Sequence, residues 1–302
     1  MDDELDFTQP APSISAAASA PFKAAQSRFY DKQVAARIFQ AEGKEERFSA
    51  GQVIFMEDEK ASKGGLFKSA SRMYYISEGE VGLTIGTRTL DTVKAGEVVG
   101  EMAVITGRPR SATGTAKAPV TTYSMDVKEL QTALGHSPEF ALMLASVMYD
   151  RLRFIAAQLQ LKPVKAGSAA REATVFDPAL VQALEGELPR TSVVRYRQES
   201  IIMKEGQAGK FMYLVKSGRV AIAVGNTVVE VVGPGGTFGE MAVVDQSPRT
   251  ARAGTLEETE LLQIDRPTLM AVVKQQPAIA MALLRGIADR LRHMNSLLAA
   301  AG

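Results

Sequence analysis

Residues 100–112 read Gly-Glu-Met-Ala-Val-Ile-Thr-Gly-Arg-Pro-Arg-Ser-Ala, and residues 239–251 read Gly-Glu-Met-Ala-Val-Val-Asp-Gln-Ser-Pro-Arg-Thr-Ala. The first five residues of the two stretches are identical, and the same offset of 139 relates residues 74–153 to residues 213–292 without a gap. A match of this extent predicts two tandem copies of one domain, each expected to fold in the same way.

The length and composition agree with two domains and argue against several classes of binding and catalytic site. The chain has 302 residues, 46% hydrophobic and 23% charged, which is enough apolar material for two cores. The net charge of +1 does not favour a nucleic-acid-coating protein or a polybasic membrane binder. The absence of cysteine excludes disulfides, zinc–thiolate sites, iron–sulfur clusters and thiol nucleophiles. A metal site or catalytic relay that needs histidine has only His136 and His293 to use.

Within each copy the hydrophobic pattern changes from that of short strands to that of a long helix. Runs such as residues 81–85 and 220–224 are rich in β-forming residues and end at a glycine, which is typical of a barrel or jelly roll. Apolar residues then recur at three- and four-residue steps over residues 138–160 and 277–298. We therefore predict a mainly β fold with helices: two tandem β-jelly-roll barrels, each flanked by an N-terminal helix and a longer C-terminal lid helix.

Composition also predicts the domain boundaries. Residues 1–27 are acidic and then rich in proline, alanine and serine, so we expect a flexible tail. The proline, glycine and serine near the middle of the chain have the composition of a linker. We predict a first domain at 28–161, a linker at 162–175 and a second domain at 176–302.

The densest match between the copies contains a glutamate and an arginine. Glu101 and Arg110 are nine residues apart, and so are Glu240 and Arg249. A carboxylate at the start of a short helix accepts hydrogen bonds from sugar hydroxyls, and an arginine after a proline-fixed turn makes a two-pronged contact to phosphate. Backbone N–H groups beside them complete an anion site. A simple ion pair between the two side chains is the alternative, but the recurrence of the spacing favours a small phosphosugar ligand.

Both copies resemble the cyclic nucleotide-binding domain of catabolite-activator-type regulators, cyclic-nucleotide-dependent kinase regulatory subunits and cyclic-nucleotide-gated channels. The signature of the family's phosphate-binding cassette stands here as Phe238-Gly239-Glu240-Met241-Ala242 and Pro248-Arg249-Thr250-Ala251. The first copy has Val99 in place of the phenylalanine and keeps the contact residues. The resemblance implies that Glu101 and Glu240 hold the ribose 2′-hydroxyl and that Arg110 and Arg249 hold the cyclic phosphate. The predicted ligand-binding residues are Gly100, Glu101, Met102, Ala103, Arg110, Ser111, Ala112, Gly239, Glu240, Met241, Ala242, Arg249, Thr250 and Ala251.

The resemblance also implies the ligand, cAMP or cGMP, with no further cofactor and no metal. In the family a threonine hydroxyl after the arginine bonds the guanine amino group, and Ser111 and Thr250 occupy this position here. Serine occurs there in bacterial members that bind cAMP, so cAMP is favoured and cGMP stays open. The family uses the helix after the barrel to cover the base, which makes Phe154 and His293 candidates to stack on it. Ordinary helix packing of Phe154 and a solvated position for His293 are the alternatives.

The expected function is a bacterial-type cyclic mononucleotide sensor or adaptor that binds one ligand per copy. Binding would signal allosterically through the lid helices to an effector protein that the sequence does not identify. The sequence contains no catalytic motif, so we expect no enzyme activity. A scaffold with vestigial pockets is one alternative, although both copies keep their glutamate and arginine. A detached regulatory subunit of an enzyme encoded elsewhere is another.

The remaining expectations concern location and assembly. No stretch approaches the about 20 apolar residues of a spanning helix, and the N-terminus is acidic where a signal peptide is basic, so we expect a cytoplasmic protein without a membrane partner. The chain ends at Gly302 directly after the last predicted helix, so we expect no DNA-binding module. The first long helix carries an apolar stripe that could pack on its own barrel, form a homodimer interface or bind a partner protein, and the sequence does not decide between these three roles. Its residues are Leu144, Met148, Leu152, Ile155 and Leu159.

Overall fold

The computed structural model describes residues 30–59, 71–161, 171–173 and 176–300. The chain folds into two compact units, with the division between Leu144 and Ala145. The predicted tail and most of the predicted linker lie outside the described residues. The domain bounds derived from composition stay a prediction.

The first unit contains two four-stranded sheets together with helices before and after the strands. In chain order its elements are α1 (Lys32–Glu42), β1 (Lys44–Phe48), β2 (Val53–Phe55), β3 (Met73–Glu78), β4 (Glu80–Ile85), β5 (Arg88–Lys94), β6 (Val98–Val99), α2 (Glu101–Thr106), β7 (Thr113–Ala116), β8 (Val120–Met125) and α3 (Val127–His136). The next helix, α4 (Pro138–Leu161), begins in this unit and continues past the division. The strand orders are β1-β8-β3-β6 and β2-β7-β4-β5, with antiparallel pairing throughout.

One hydrophobic core lies between these two sheets. It includes Tyr74 and Ile76 from the first sheet and Phe55 and Val81 from the second, all buried. Because both sheets bury side chains in the same core, the described strands form a two-sheet sandwich. This arrangement confirms the predicted jelly-roll type of β fold, with two separate sheets rather than a closed ring of strands.

The second unit repeats the arrangement of the first. Its further elements are β9 (Arg171–Ala173), α5 (Pro178–Glu187), β10 (Val193–Tyr196), β11 (Ile201–Met203), β12 (Phe211–Ser217), β13 (Val220–Val224), β14 (Thr227–Val232), β15 (Thr237–Phe238), α6 (Met241–Val244), β16 (Arg252–Thr255), β17 (Thr259–Asp265), α7 (Arg266–Gln275) and α8 (Pro277–Ala300). One sheet has the order β10-β17-β12-β15, and the other has the order β11-β16-β13-β14-β9. The added strand β9 pairs in parallel with β14, and otherwise the order matches the first unit, as expected for tandem copies.

An aspartate side chain caps the N-terminus of the first helix in each copy. The Asp31 carboxylate accepts hydrogen bonds from the backbone N–H groups of Gln33 and Val34 at the start of α1. The Asp177 carboxylate accepts one from the N–H of Leu180 at the start of α5. These bonds satisfy N–H groups that have no partner inside a helix, and they fix where each helix begins.

The apolar stripe of α4 is buried. Its described side chains, those of Leu144, Met148, Leu152 and Ile155, are all inaccessible to solvent or nearly so. They therefore do not offer an exposed surface to a second copy or to a partner protein. In the described parts of the chain, no helix is both long and apolar enough to cross a membrane.

Candidate functional site

The cassette of the second unit begins with a glycine that lets an arginine approach the backbone. Gly239 has a φ of 76°, in the left-handed region that favours glycine. A Cβ at this position would lie 2.5 Å from Nη1 of Arg249. Because Gly239 has no side chain, the backbone can make the turn into α6, and the Arg249 guanidinium can lie against it.

The Arg249 guanidinium is buried and held by backbone carbonyl groups. It donates from Nη1 to the carbonyl oxygen of Gly239 (2.6 Å) and from Nη2 to that of Phe211 (2.7 Å). Its Cζ atom lies 5.9 Å from the centre of the Tyr213 ring. Within the described residues no carboxylate forms an ion pair with this guanidinium, and burial lowers the pKa of Arg249. Among its described residues, the second unit thus contains a buried guanidinium with no carboxylate in an ion pair with it.

The first unit repeats this geometry around Arg110. Gly100 has a φ of 80°, and a Cβ there would lie 2.8 Å from Nη1 of Arg110. The guanidinium donates to the carbonyl oxygens of Gly100 (3.0 Å) and Arg72 (2.7 Å), and its Cζ lies 4.6 Å from the centre of the Phe55 ring. Burial lowers the pKa of Arg110, and the part of the chain that is described provides no carboxylate in an ion pair with it.

The two predicted glutamates are buried at the start of the cassette helices. Glu101 is the first residue of α2, and Glu240 directly precedes α6. The Glu240 carboxylate accepts a hydrogen bond from the Thr237 hydroxyl (2.6 Å). Nη1 of Arg290 lies 3.3 Å from each of its two oxygens, so the carboxylate is held in one orientation.

Arg290, on α8, is a site residue that the sequence did not identify. Its Nε donates to Oε2 of Glu230 (2.7 Å), and its Nη2 donates to the carbonyl oxygen of Thr237 (2.8 Å). Burial acts to lower the pKa of Arg290, but the carboxylates of Glu230 and Glu240 outweigh it and raise that pKa. Residues 150–153 and 289–292 both read Asp-Arg-Leu-Arg, but this recurrence does not tell which of the two arginines faces the site.

These side chains line a partly open cavity of about 60 Å³ in the second unit. All the ligand-binding residues predicted in the cassette of this copy line it, namely Gly239, Glu240, Met241, Ala242, Arg249, Thr250 and Ala251. Met203, Ile222, Glu230, Phe238 and Arg290 complete the lining. The structure therefore brings the predicted set together, while its ligand-binding role stays a prediction.

The predicted residues of the first copy lie around α2 and the turn after it. Gly100, Glu101, Met102 and Ala103 form the start of this helix. After the turn, Arg110 and Ala112 are buried, whereas Ser111 is exposed. Its counterpart Thr250 is half-buried and donates from its hydroxyl to Sδ of Met241 (3.3 Å).

The two candidates for stacking on the base lie on the long helices. Nε2 of His293 lies 2.8 Å from the carbonyl oxygen of Val229 on β14, and His293 does not line the cavity of the second unit. Phe154 is half-buried on the part of α4 that belongs to the second unit. A base-stacking role for either residue stays a prediction.

Comparison with known proteins places the chain in a family. A sequence profile of the cyclic nucleotide-binding domain matches residues 45–137 and 193–276, which is more than half of the chain and one segment in each unit. The chain belongs to the cyclic nucleotide-binding domain family. Domains of this family are regulatory rather than catalytic, and the homology supports cyclic nucleotide sensing.

Individual relatives match parts of the chain. The CRP-like cAMP-activated global transcriptional regulator of Mycobacterium tuberculosis is 31% identical over 128 residues, covering 41% of this chain and 56% of the regulator. The cyclic AMP receptor protein of Thermus thermophilus is 35% identical over 102 residues, covering 32% of this chain and 47% of that protein. The chain thus spans about half the length of these relatives. The regulatory domain of Toxoplasma gondii PKA with cAMP aligns with a TM-score of 0.29 and 16% identity, covering 82% of this chain and 95% of that one.

Proposed function

We propose that each unit binds one cyclic mononucleotide, with cAMP favoured over cGMP. Binding acts through the helices that follow the barrels, α4 and α8, to signal to a partner protein. Two relatives named for cAMP, a cAMP-activated regulator and a cyclic AMP receptor protein, are 31% and 35% identical to the part of this chain that they match. A relative named for cGMP, a cGMP-dependent protein kinase of Eimeria tenella, is only 24% identical, and this difference supports the preference for cAMP.

The observation that carries the proposal is the pair of buried guanidiniums. Removing a cation from water is costly unless an anion or several acceptors replace its hydration. Arg110 and Arg249 each have two backbone carbonyl acceptors, and neither forms an ion pair among the described residues. A cyclic phosphate supplies the negative charge and paired oxygens that fit a guanidinium.

The cavity of the second unit supports a role for α8 in the response. The cavity measures about 60 Å³, less than the about 300–1,000 Å³ of typical small-molecule pockets, so we expect its lining to rearrange when a ligand enters. Arg290 is the lining residue that comes from α8, so displacing it from Glu240 transmits the presence of the ribose to that helix.

Thermal unfolding with added ligand tests the proposal. The wild-type chain is heated with cAMP, cGMP or cyclic di-GMP, beside Arg110→Ala, Arg249→Ala and the double variant. A ligand at 100 times its dissociation constant stabilises a site by about 2.7 kcal/mol, which raises the melting temperature by a few degrees. We expect stabilisation by a cyclic mononucleotide that each single change reduces and the double change abolishes.

An exposed arginine provides the matched control. Arg195 forms a surface ion pair with Glu260, so Arg195→Ala removes an arginine without touching either cassette. This variant should keep the full ligand response. Absence of stabilisation by all three nucleotides at millimolar concentration overturns the proposal and favours a scaffold with vestigial pockets.

A further inference from the structure

The turn that leads from α6 to Arg249 has an unusual backbone conformation. Gln246 has a φ of 57°, in the left-handed region that side chains other than glycine rarely adopt. The equivalent residue of the first cassette is Gly107, with a φ of 66°. The two turns thus share one backbone conformation, which glycine adopts freely and glutamine adopts only when its surroundings hold it.

Arg153, on α4, contacts both neighbours of Gln246. Its Nη1 lies 2.6 Å from Oδ2 of Asp245 and 3.1 Å from the Ser247 hydroxyl oxygen. Its Nη2 pairs with the Asp150 carboxylate one turn earlier on the same helix. Asp245 is 4% exposed, so Arg153 is the cation that compensates a buried carboxylate.

Further hydrogen bonds hold the same turn from the other side. The Ser247 N–H donates to Oδ1 of Asp245 (3.0 Å), which closes the turn on itself. Nη1 of Arg266 donates to the carbonyl oxygens of Val243 (2.8 Å) and Val244 at the end of α6. Arg249 follows Ser247 by two residues, so the turn sets where its guanidinium lies.

The first cassette has none of these side chains. At the positions equivalent to Asp245, Gln246, Ser247 and Arg266 the sequence has Thr106, Gly107, Arg108 and Val127. The second cassette therefore combines a residue that disfavours the turn with an arginine on α4 that contacts both of its neighbours.

We infer that Arg153 is a positioning residue of the second site: through Asp245 and Ser247 it holds the turn that carries Arg249, and the second site needs it to bind ligand tightly. This inference rests on the proposed function of the second site. Because Arg153 lies on the helix that follows the first barrel in the chain, it also makes the affinity of the second site depend on the position of α4.

The test measures the second site by itself in the full-length chain. The parent variant is Arg110→Ala, which silences the first site, and cAMP and cGMP are titrated into it by calorimetry. Adding Arg153→Ala is expected to weaken binding about tenfold or more, since a misplaced guanidinium loses its two-pronged contact to phosphate. Adding Gln246→Gly to this variant is expected to restore part of the affinity, because glycine adopts the turn without an anchor.

Two comparisons distinguish positioning from general damage. In the Arg249→Ala background, which leaves only the first site, Arg153→Ala should not weaken binding, because the contacts that it removes are those to Asp150, Asp245 and Ser247. Arg195→Ala in the Arg110→Ala parent should likewise have no effect on the second site. If Arg153→Ala does not fold, Arg153→Ala with Asp245→Ala removes both charges together and is expected to show the same loss.

The outcomes separate this inference from the function on which it rests. An Arg110→Ala parent that binds neither nucleotide overturns the proposed function of the second site and this inference with it. A parent that binds, together with a folded Arg153→Ala variant of unchanged affinity, overturns the inference alone. Equal losses at both sites also overturn it, since they show a general effect on the fold.

Discussion

Replacing Gly239 by alanine tests whether the cassette glycine is what places Arg249. A side chain at a φ of 76° costs about 1–2 kcal/mol because its Cβ crowds the backbone. The added Cβ also lies 2.5 Å from Nη1 of Arg249, and overpacking of a close-packed site costs about 1–3 kcal/mol more. We therefore expect Gly239→Ala to lower the free energy of unfolding by about 2–5 kcal/mol.

The same substitution should weaken ligand binding, because the guanidinium must leave its carbonyl acceptors to make room. A loss of about tenfold in affinity for cAMP at the second site corresponds to about 1.4 kcal/mol. Urea unfolding measures the stability, and calorimetric titration in the Arg110→Ala background measures the affinity.

Gly206 provides a control that separates backbone strain from collision. Its φ is 80°, but an added Cβ there would meet no atom within 4 Å. Gly206→Ala should therefore cost only the strain, about 1–2 kcal/mol. A Gly239→Ala variant that is no less stable than Gly206→Ala, or a folded Gly239→Ala variant that binds cAMP as tightly as its parent, would show that Gly239 does not place Arg249.

Three further predictions concern other residues of the second unit. Arg290→Ala removes the guanidinium that pairs with the buried carboxylates of Glu230 and Glu240. Urea unfolding should show a free energy of unfolding lower by about 3–5 kcal/mol, and a loss below about 1 kcal/mol would contradict the pairing. Asp265 begins α7, and hydrogen bonds from Thr268 lower the pKa of its carboxyl group below the ordinary 3.8. The ionised carboxylate should add about 1 kcal/mol to the free energy of unfolding above pH 3.8, and this stabilisation should be lost as the pH falls through the lowered pKa. Equal stability of Asp265→Ala and the wild type at neutral pH would refute this. Thr250→Ala should reduce affinity for cGMP more than for cAMP if its hydroxyl contacts the guanine amino group, as competition titrations can show, whereas equal effects on both nucleotides would exclude that contact.

The features that the sequence predicted are those that depend on local chemistry or on recurrence. The aspartates at 31 and 177 accept hydrogen bonds from helix N–H groups whatever the rest of the fold does, so the helix starts were predictable. The repeated spacing of glycine, glutamate and arginine in the two copies predicted the cassettes, because the same backbone turn and the same arginine contact occur in both.

The features that the sequence did not predict depend on how distant elements meet. Arg290 reaches Glu240 across 50 residues, and helical periodicity alone does not fix which side of α8 faces the sheet. Asp245 has the sequence appearance of an ordinary turn residue, and its burial follows from the approach of Arg153 on a different helix. Repeat equivalence also predicts one environment for Leu90 and Val229, yet Leu90 is exposed whereas Val229 is buried and its carbonyl oxygen lies beside His293 of α8.

Binding stoichiometry shows whether each unit holds one nucleotide. Calorimetric titration of the full-length chain with cAMP should give two bound nucleotides per chain. Either Arg110→Ala or Arg249→Ala should reduce this to one, and the double variant should bind none, because each buried guanidinium serves one phosphate. A folded wild-type chain that releases no heat and retains no cAMP or cGMP in parallel equilibrium dialysis at millimolar concentration would contradict the account.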